Sequence, residues 1–115
     1  MMADCIFCKI ANHEIESRIA YESGEVVAFH DANPQAPVHI LIIPRKHLES
    51  VTDLGPGDAG LVLALFQVAG RLAREQGVAE SGFRLVANAG PEAGQSVPHL
   101  HLHLLGGRPM RWPPG

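Results

Sequence analysis

The sequence predicts an α+β domain: a five-stranded antiparallel sheet with one long helix and a short N-terminal helix. Three stretches carry that expectation. Val38–Pro44 (Val-His-Ile-Leu-Ile-Ile-Pro) is a nearly continuous apolar run of strand length, as in a central strand buried on both faces. Leu61, Leu65, Val68 and Leu72 fall at i, i+4, i+7 and i+11, one stripe of an amphipathic helix. His99, His101 and His103 alternate with Leu100, Leu102 and Leu104, the period that gives a strand two unlike faces.

The chain has 115 residues, which sets the expectation of one domain over residues 1–115 with a sizeable core. Hydrophobic residues at 46% against 18% charged argue for a packed globule rather than a disordered chain. A formal net charge of −3 offers no basic stripe for a nucleic-acid backbone, so no nucleic-acid partner is expected. A single nucleotide stays compatible, because one phosphate needs only a few donors. Met1–Cys5 has no basic segment followed by an apolar one, and the apolar stretch within Asp58–Gly77 is short of a membrane span. With only two cysteines, spaced Cys-x-x-Cys, the expected setting is a reducing cytoplasm, without export or membrane insertion.

Asp4–Ile10 reads as a short helical or turn segment. Ile19 and Tyr21 alternate with polar neighbours, Ser23-Gly24-Glu25 turns the chain, and Val26–His30 returns as a second strand. Asp31–Pro37 is a loop whose two prolines cannot join a central ladder. After Val38–Pro44, Gly55-Pro56-Gly57-Asp58 opens the long helix and Gly77 closes it. Gly82–Asn88 alternates as a fourth strand, with Phe83, Leu85 and Ala87 on one side. Ala89–Gln95 is a flexible loop leading into the fifth strand, the histidine ribbon, which Gly106-Gly107 ends. A proline-rich tail without regular structure follows.

The leucine face of the ribbon packs into a core. The imidazole face must find hydrogen bonds, water, a metal or a ligand. Same-face neighbours on a strand lie about 6.5 Å apart, so two imidazoles can share one ion but three cannot do so comfortably. Imidazole titrates near neutrality and serves as nucleophile, acid, base or donor, which favours distinct roles along an extended ligand. A histidine nucleophile needs one nitrogen bare and the other N–H held by an acceptor, and the central His101 is best placed for that. Asn88, Gly94, Gln95 and Ser96 supply amide, backbone and hydroxyl donors near the same end, suited to cradling a phosphate without arginine.

His99-Leu100-His101-Leu102-His103-Leu104-Leu105 resembles the His-φ-His-φ-His-φ-φ signature of the histidine triad (HIT) family. Gly94-Gln95-Ser96-Val97, Phe29-His30-Asp31, Pro34–His39, Pro44-Arg45-Lys46-His47 and the Trp-Pro-Pro-Gly tail are similar to its nucleotide-binding protein branch. The resemblance runs from about Asp4 to Gly115. It implies a HIT-like fold that dimerises into a ten-stranded sheet. It implies a purine nucleoside phosphoramidase in which His101 attacks the α-phosphorus, releases an amine, and yields AMP or GMP on hydrolysis. In that scheme His39 supports the orientation of His101, His99 shapes the site, and His103 and Ser96 contact the phosphate or leaving group. Asn88 and the Gly94–Val97 backbone, with Gln95 between them, hold phosphate oxygens, and Asp31 accepts from the ribose hydroxyls. Ile6, Phe7, Ile10, Ile15, Phe29 and His30 match positions lining the base pocket, against a plain core-packing alternative for Ile10 and Ile15. The tail would reach the partner's site, where Trp112 influences the leaving group.

Cys5-x-x-Cys8 lacks the strand-to-helix context of a thioredoxin-like pair. By resemblance to bacterial family members, Cys5, Cys8, His47 and His99 would bind structural zinc, with no cofactor required for the reaction. Pro98 and Ala32 depart from the family pattern and touch only the fine shape of the base pocket. The competing readings are a zinc hydrolase using His99 and His101, a dinucleoside polyphosphate hydrolase of the same family, and a nucleotide-binding scaffold with weak catalysis.

Overall fold

The computed structural model of the chain describes residues 4–115; Met1–Ala3, part of the start read above for an export signal, lie outside the described residues. A short helix α1 (Ile6–Ala11) precedes strands β1 (Ile19–Glu22), β2 (Val26–His30) and β3 (Val38–Pro44). Helix α2 (Ala59–Glu75), β4 (Phe83–Val86) and β5 (Leu102–Gly106) follow. The five strands form one antiparallel sheet in the order β1-β2-β3-β5-β4. The expected fold class is the one observed.

Alternation along the central strands divides the core into two clusters. Ile40 and Ile42 of β3, with Leu100, Leu102 and Leu104, face Leu65, Val68, Ala69, Leu72 and Ala73 of α2. Leu41 and Ile43, with Val27 and Phe29 of β2, face Phe7, Ile10 and Ala11 of α1. The two helices therefore cover opposite faces, which is why β3 reads as a continuous apolar run. Asp58 opens α2, accepting the Gly55 N–H (2.9 Å) and the Lys46 ammonium (2.7 Å), and its carboxyl sits below the usual range because Lys46 hydrogen-bonds it. Gly77, at φ +75°, closes the helix where a side chain would be strained.

Two strand boundaries differ from expectation. β4 covers only Phe83–Val86 of the expected Gly82–Asn88. The histidine ribbon enters the ladder at Leu102, not near Pro98, so His99 and His101 lie ahead of β5. The reason is Pro44. In the register that pairs Ile42 with Leu102, the next step would set Leu100 opposite Pro44, which has no N–H to give. The Leu100 N–H goes instead to the Leu48 carbonyl (2.6 Å), and the Pro44 carbonyl accepts from the His99 ring (2.8 Å). The ribbon bends at residues 97–99, where the His99 N–H turns back to the Val97 carbonyl (2.8 Å), yet it keeps its two faces without the ladder.

Candidate active site

The three ribbon histidines all point to the α1 side of the sheet and enter three different environments. His99 is fully buried and His101 is only 4% exposed. The His101 Nδ1–H donates to the main-chain carbonyl of His99 at 2.6 Å, which leaves Nε2 as the bare nitrogen. Among the described residues, His101 Nε2 has no hydrogen-bond partner. The Phe7 ring stands at 88° to His101, centroids 5.1 Å apart, and closes one side of the imidazole. A tautomer held from one side with the other nitrogen open is the arrangement a nitrogen nucleophile needs.

His103 lies 2.9 Å from His39, Nδ1 to Nε2. The Gln35 N–H donates to His39 Nδ1 (3.0 Å), so a neutral His39 carries its proton on Nε2 and gives it to His103 Nδ1. His103 then presents Nε2–H outward as a donor. Asp31 Oδ2 stands 3.4 Å from His39 Nε2, while Oδ1 accepts the Asn33 N–H. Burial pushes His103 down to about 4, assisted by the neighbouring charges of His101 and His39 and opposed by Asp31. His39 is lowered by burial as well, with Asp31 working the other way. Both rings are neutral at neutral pH. His39 bonds to His103, its diagonal neighbour across the β3–β5 ladder, and the His103 ring packs on His101 with centroids 5.0 Å apart.

Cys5, Cys8, His47 and His99 meet at a second point. Cys5 caps α1, its Sγ accepting the Cys8 N–H, so the Cys-x-x-Cys spacing brings both sulfurs to one end of the helix. His99 Nδ1 lies 3.3 Å from Cys5 Sγ, 3.4 Å from Cys8 Sγ and 3.1 Å from His47 Nδ1. Because the His99 Nε2–H is given to Pro44, Nδ1 brings a lone pair to this cluster. A tetrahedral zinc would separate sulfur from nitrogen by roughly 3.6 Å and nitrogen from nitrogen by roughly 3.3 Å, within a few tenths of these values. The four residues lie close enough to bind a metal, and their chemistry fits one. Burial pushes the Cys8 thiol up to about 11, with Cys5 beside it adding to the rise, so ligation must displace its proton.

The loop expected to cradle a phosphate is partly bonded to itself. The Gly94 N–H bonds the Pro91 carbonyl and the Gln95 N–H bonds the Gly90 carbonyl. The Gln95 side chain ties the loop together through Gly90, Glu49 and Val97. Gly94 and Gln95 thus spend these N–H groups within the loop, whereas the N–H groups of Ser96 and Val97 have no acceptor among the described residues. Asn88 is half-buried at the start of the same loop. Of the residues expected at the base pocket, Phe7, Ile10 and Phe29 are buried in the α1-side core, whereas Ile6 and Ile15 are exposed. Ile15 lines a cavity of about 550 Å³ with His13, Glu16, Ser17, Arg18 and Ile19. His30 is half-buried, and burial lowers it, with Arg18 adding to the effect.

Sequence reasoning missed the Gln35 N–H and the Pro44 and Leu48 carbonyls, which are main-chain groups without a residue-type signature. It also missed Arg45, whose guanidinium donates to the Ala11 and Ser23 carbonyls and to Glu22, fastening the end of α1 to the β1–β2 hairpin.

The HIT domain model matches residues 12–110. An uncharacterised HIT-like protein of Synechocystis is 50% identical over 115 residues, all of both chains. The purine nucleoside phosphoramidase of Escherichia coli K12 is 44% identical over 110 residues, 96% of this chain and 92% of that one. Among solved structures, a HIT family hydrolase from Legionella pneumophila superposes with a TM-score of 0.96 at 47% identity, covering 97% of this chain and all of that one. A histidine triad protein from Clostridium difficile superposes at 0.91, with 45% identity over 95% of each chain.

Proposed function

This chain belongs to the HIT family, and from that premise we propose that it hydrolyses purine nucleoside phosphoramidates through a nucleotidyl-histidine on His101. The observation that carries the reading is the held tautomer of His101, with Nδ1–H on the His99 carbonyl and Nε2 open. The Nε2 lone pair forms the bond to the α-phosphorus while the phosphorus–nitrogen bond breaks. The departing amine takes its proton from the outward Nε2–H of His103. Water then attacks the same phosphorus and returns a proton to His103 Nε2, the phosphorus–His101 bond breaks, and AMP or GMP is released. Ser96 and Val97 donate to the phosphate oxygens, Asn88 lies beside them, and Asp31 accepts from the ribose hydroxyls. Ile6, Phe7, Ile10, Ile15, Phe29 and His30 border the purine.

The reading in which His99 and His101 share a catalytic metal finds no support, because His99 Nδ1 turns to the thiols and His101 Nδ1 is bound to a carbonyl. Zinc held by Cys5, Cys8, His47 and His99 has a structural role, joining the start of α1 to the turn after β3. Residues 1–115 act as one HIT domain in the cytoplasm. Leu63 (59% exposed) and Phe66 (51%) on α2, with the edge strand β4, suit a second copy of this chain that extends the sheet to ten strands.

The test is brief incubation with an adenosine phosphoramidate, an alkaline quench and intact mass. An adenylyl adduct mapped to His101 is expected, and His101→Ala should keep nucleotide binding while turnover falls at least ~10³-fold. Undiminished turnover in that variant would overturn the proposal.

A further inference from the structure

The metal cluster and the open imidazole share parts. His99 is common to both: its ring Nδ1 lies within 3.4 Å of both sulfurs, and its main-chain carbonyl holds the His101 Nδ1–H at 2.6 Å. The His99 ring is itself braced by the Pro44 carbonyl, so a shift of the ring moves the main chain behind it. Phe7 is a second link. It sits between Cys5 and Cys8 in the sequence, on the same turn of α1, and its ring meets His101 at 5.1 Å and His99 at 6.1 Å, edge to face in both cases. Phe29 packs on Phe7 from β2 at 5.3 Å, leaving it little freedom of its own.

We propose that metal occupancy of the Cys5, Cys8, His47 and His99 centre sets the position of the His101 ring, with Phe7 and His99 as positioning residues. An ion that gathers the two sulfurs and His99 Nδ1 fixes the start of α1 and the His99 main chain together. Those two pieces are the aromatic edge against His101 and the carbonyl that selects its tautomer. The metal stays outside the reaction, yet governs how well the nucleophile is aimed. Only the catalytic consequence rests on the function proposed above; the coupling itself is a property of the folded chain.

The experiment uses the full chain with ring-labelled ¹⁵N histidine, at one pH, stripped of metal and then loaded with one equivalent of Zn²⁺. The loaded protein should give one sharp set of His101 resonances with the proton on Nδ1, and the stripped protein a broadened or split set. Phe7→Ala supplies the second arm. It should retain full Co²⁺ or Zn²⁺ stoichiometry and the cobalt–thiolate absorption, yet show the disturbed His101 signals; Phe7→Leu should restore the single set. Single-turnover adduct formation should fall about tenfold in Phe7→Ala at unchanged metal content. A stripped protein that keeps one sharp, Nδ1-protonated His101 set overturns the proposal, and so does a loaded Phe7→Ala that keeps one; the second arm decides even if stripping unfolds the chain. The absence of any adduct at His101 in the loaded wild type would sink the proposed function alone.

Discussion

Two clusters of histidine lie on the same side of one sheet and have opposite internal order. At His47 and His99, the His99 N–H is turned outward to a carbonyl and its lone pair joins two sulfurs and a second imidazole at a common point. At His39 and His103, donors and acceptors run head to tail from the Gln35 amide to the outward Nε2–H of His103. Asp31, His39 and His103 also lie within 4.8 Å of one another, so proximity alone marks both as metal-binding sets. The tautomer separates them. A His39 whose Nδ1 accepts from Gln35 must carry a proton on Nε2, where a metal would need a lone pair. Convergent lone pairs hold an ion, whereas a head-to-tail row holds a proton in place.

The largest expected effect comes from breaking the convergent set. Cys8→Ser should lower bound Zn²⁺ from one per chain to well below one, read with a metal-sensitive dye. The same change should drop the thermal midpoint by more than about 5 °C, roughly 1–2 kcal/mol by the usual scaling. Retention of a full equivalent would show that the cluster is not the binding site.

Breaking the head-to-tail row should leave metal content untouched. His39→Ala removes the donor that orders His103, and kcat should fall about 10–100-fold with one Zn²⁺ still bound. Equal loss of metal in this variant would erase the distinction between the clusters.

The smallest effect is a slope. Because His103 is held down to about 4 in the fold, against about 6.5 when unfolded, the unfolded chain takes up its proton first on acidification. Stability is therefore complete above about pH 6.5 and declines as pH falls toward 4. Urea midpoints between those limits should trace the decline, and His103→Asn should flatten it. An unchanged slope would mean that other groups produce the acid sensitivity.

Helix α2, strand β3 and the antiparallel sheet were legible because each rests on local periodicity: the stripe from Leu61 to Leu72, the apolar run, the alternation of histidine and leucine. The start of β5 was not, because it depends on what Pro44 withholds and on where the Leu100 N–H goes instead, both set by chain far from the ribbon. In the site, the residue types were readable and their partners were not. His39 and His103 could be singled out by name, but only the fold pairs them. Gln95 carries donors on paper and uses them within its own loop.

Strand β3 carries a length constraint that follows from its two ends. His39 near its start belongs to the head-to-tail row, and the Pro44 carbonyl at its finish braces His99. Five residue steps, about 16 Å of extended chain, thus gauge the gap between the centres. Removing one residue from Ile40–Ile43 would turn His39 toward α2 and shorten the reach to His99. Homologues with an indel inside this strand should be rare even where the surrounding loops vary freely.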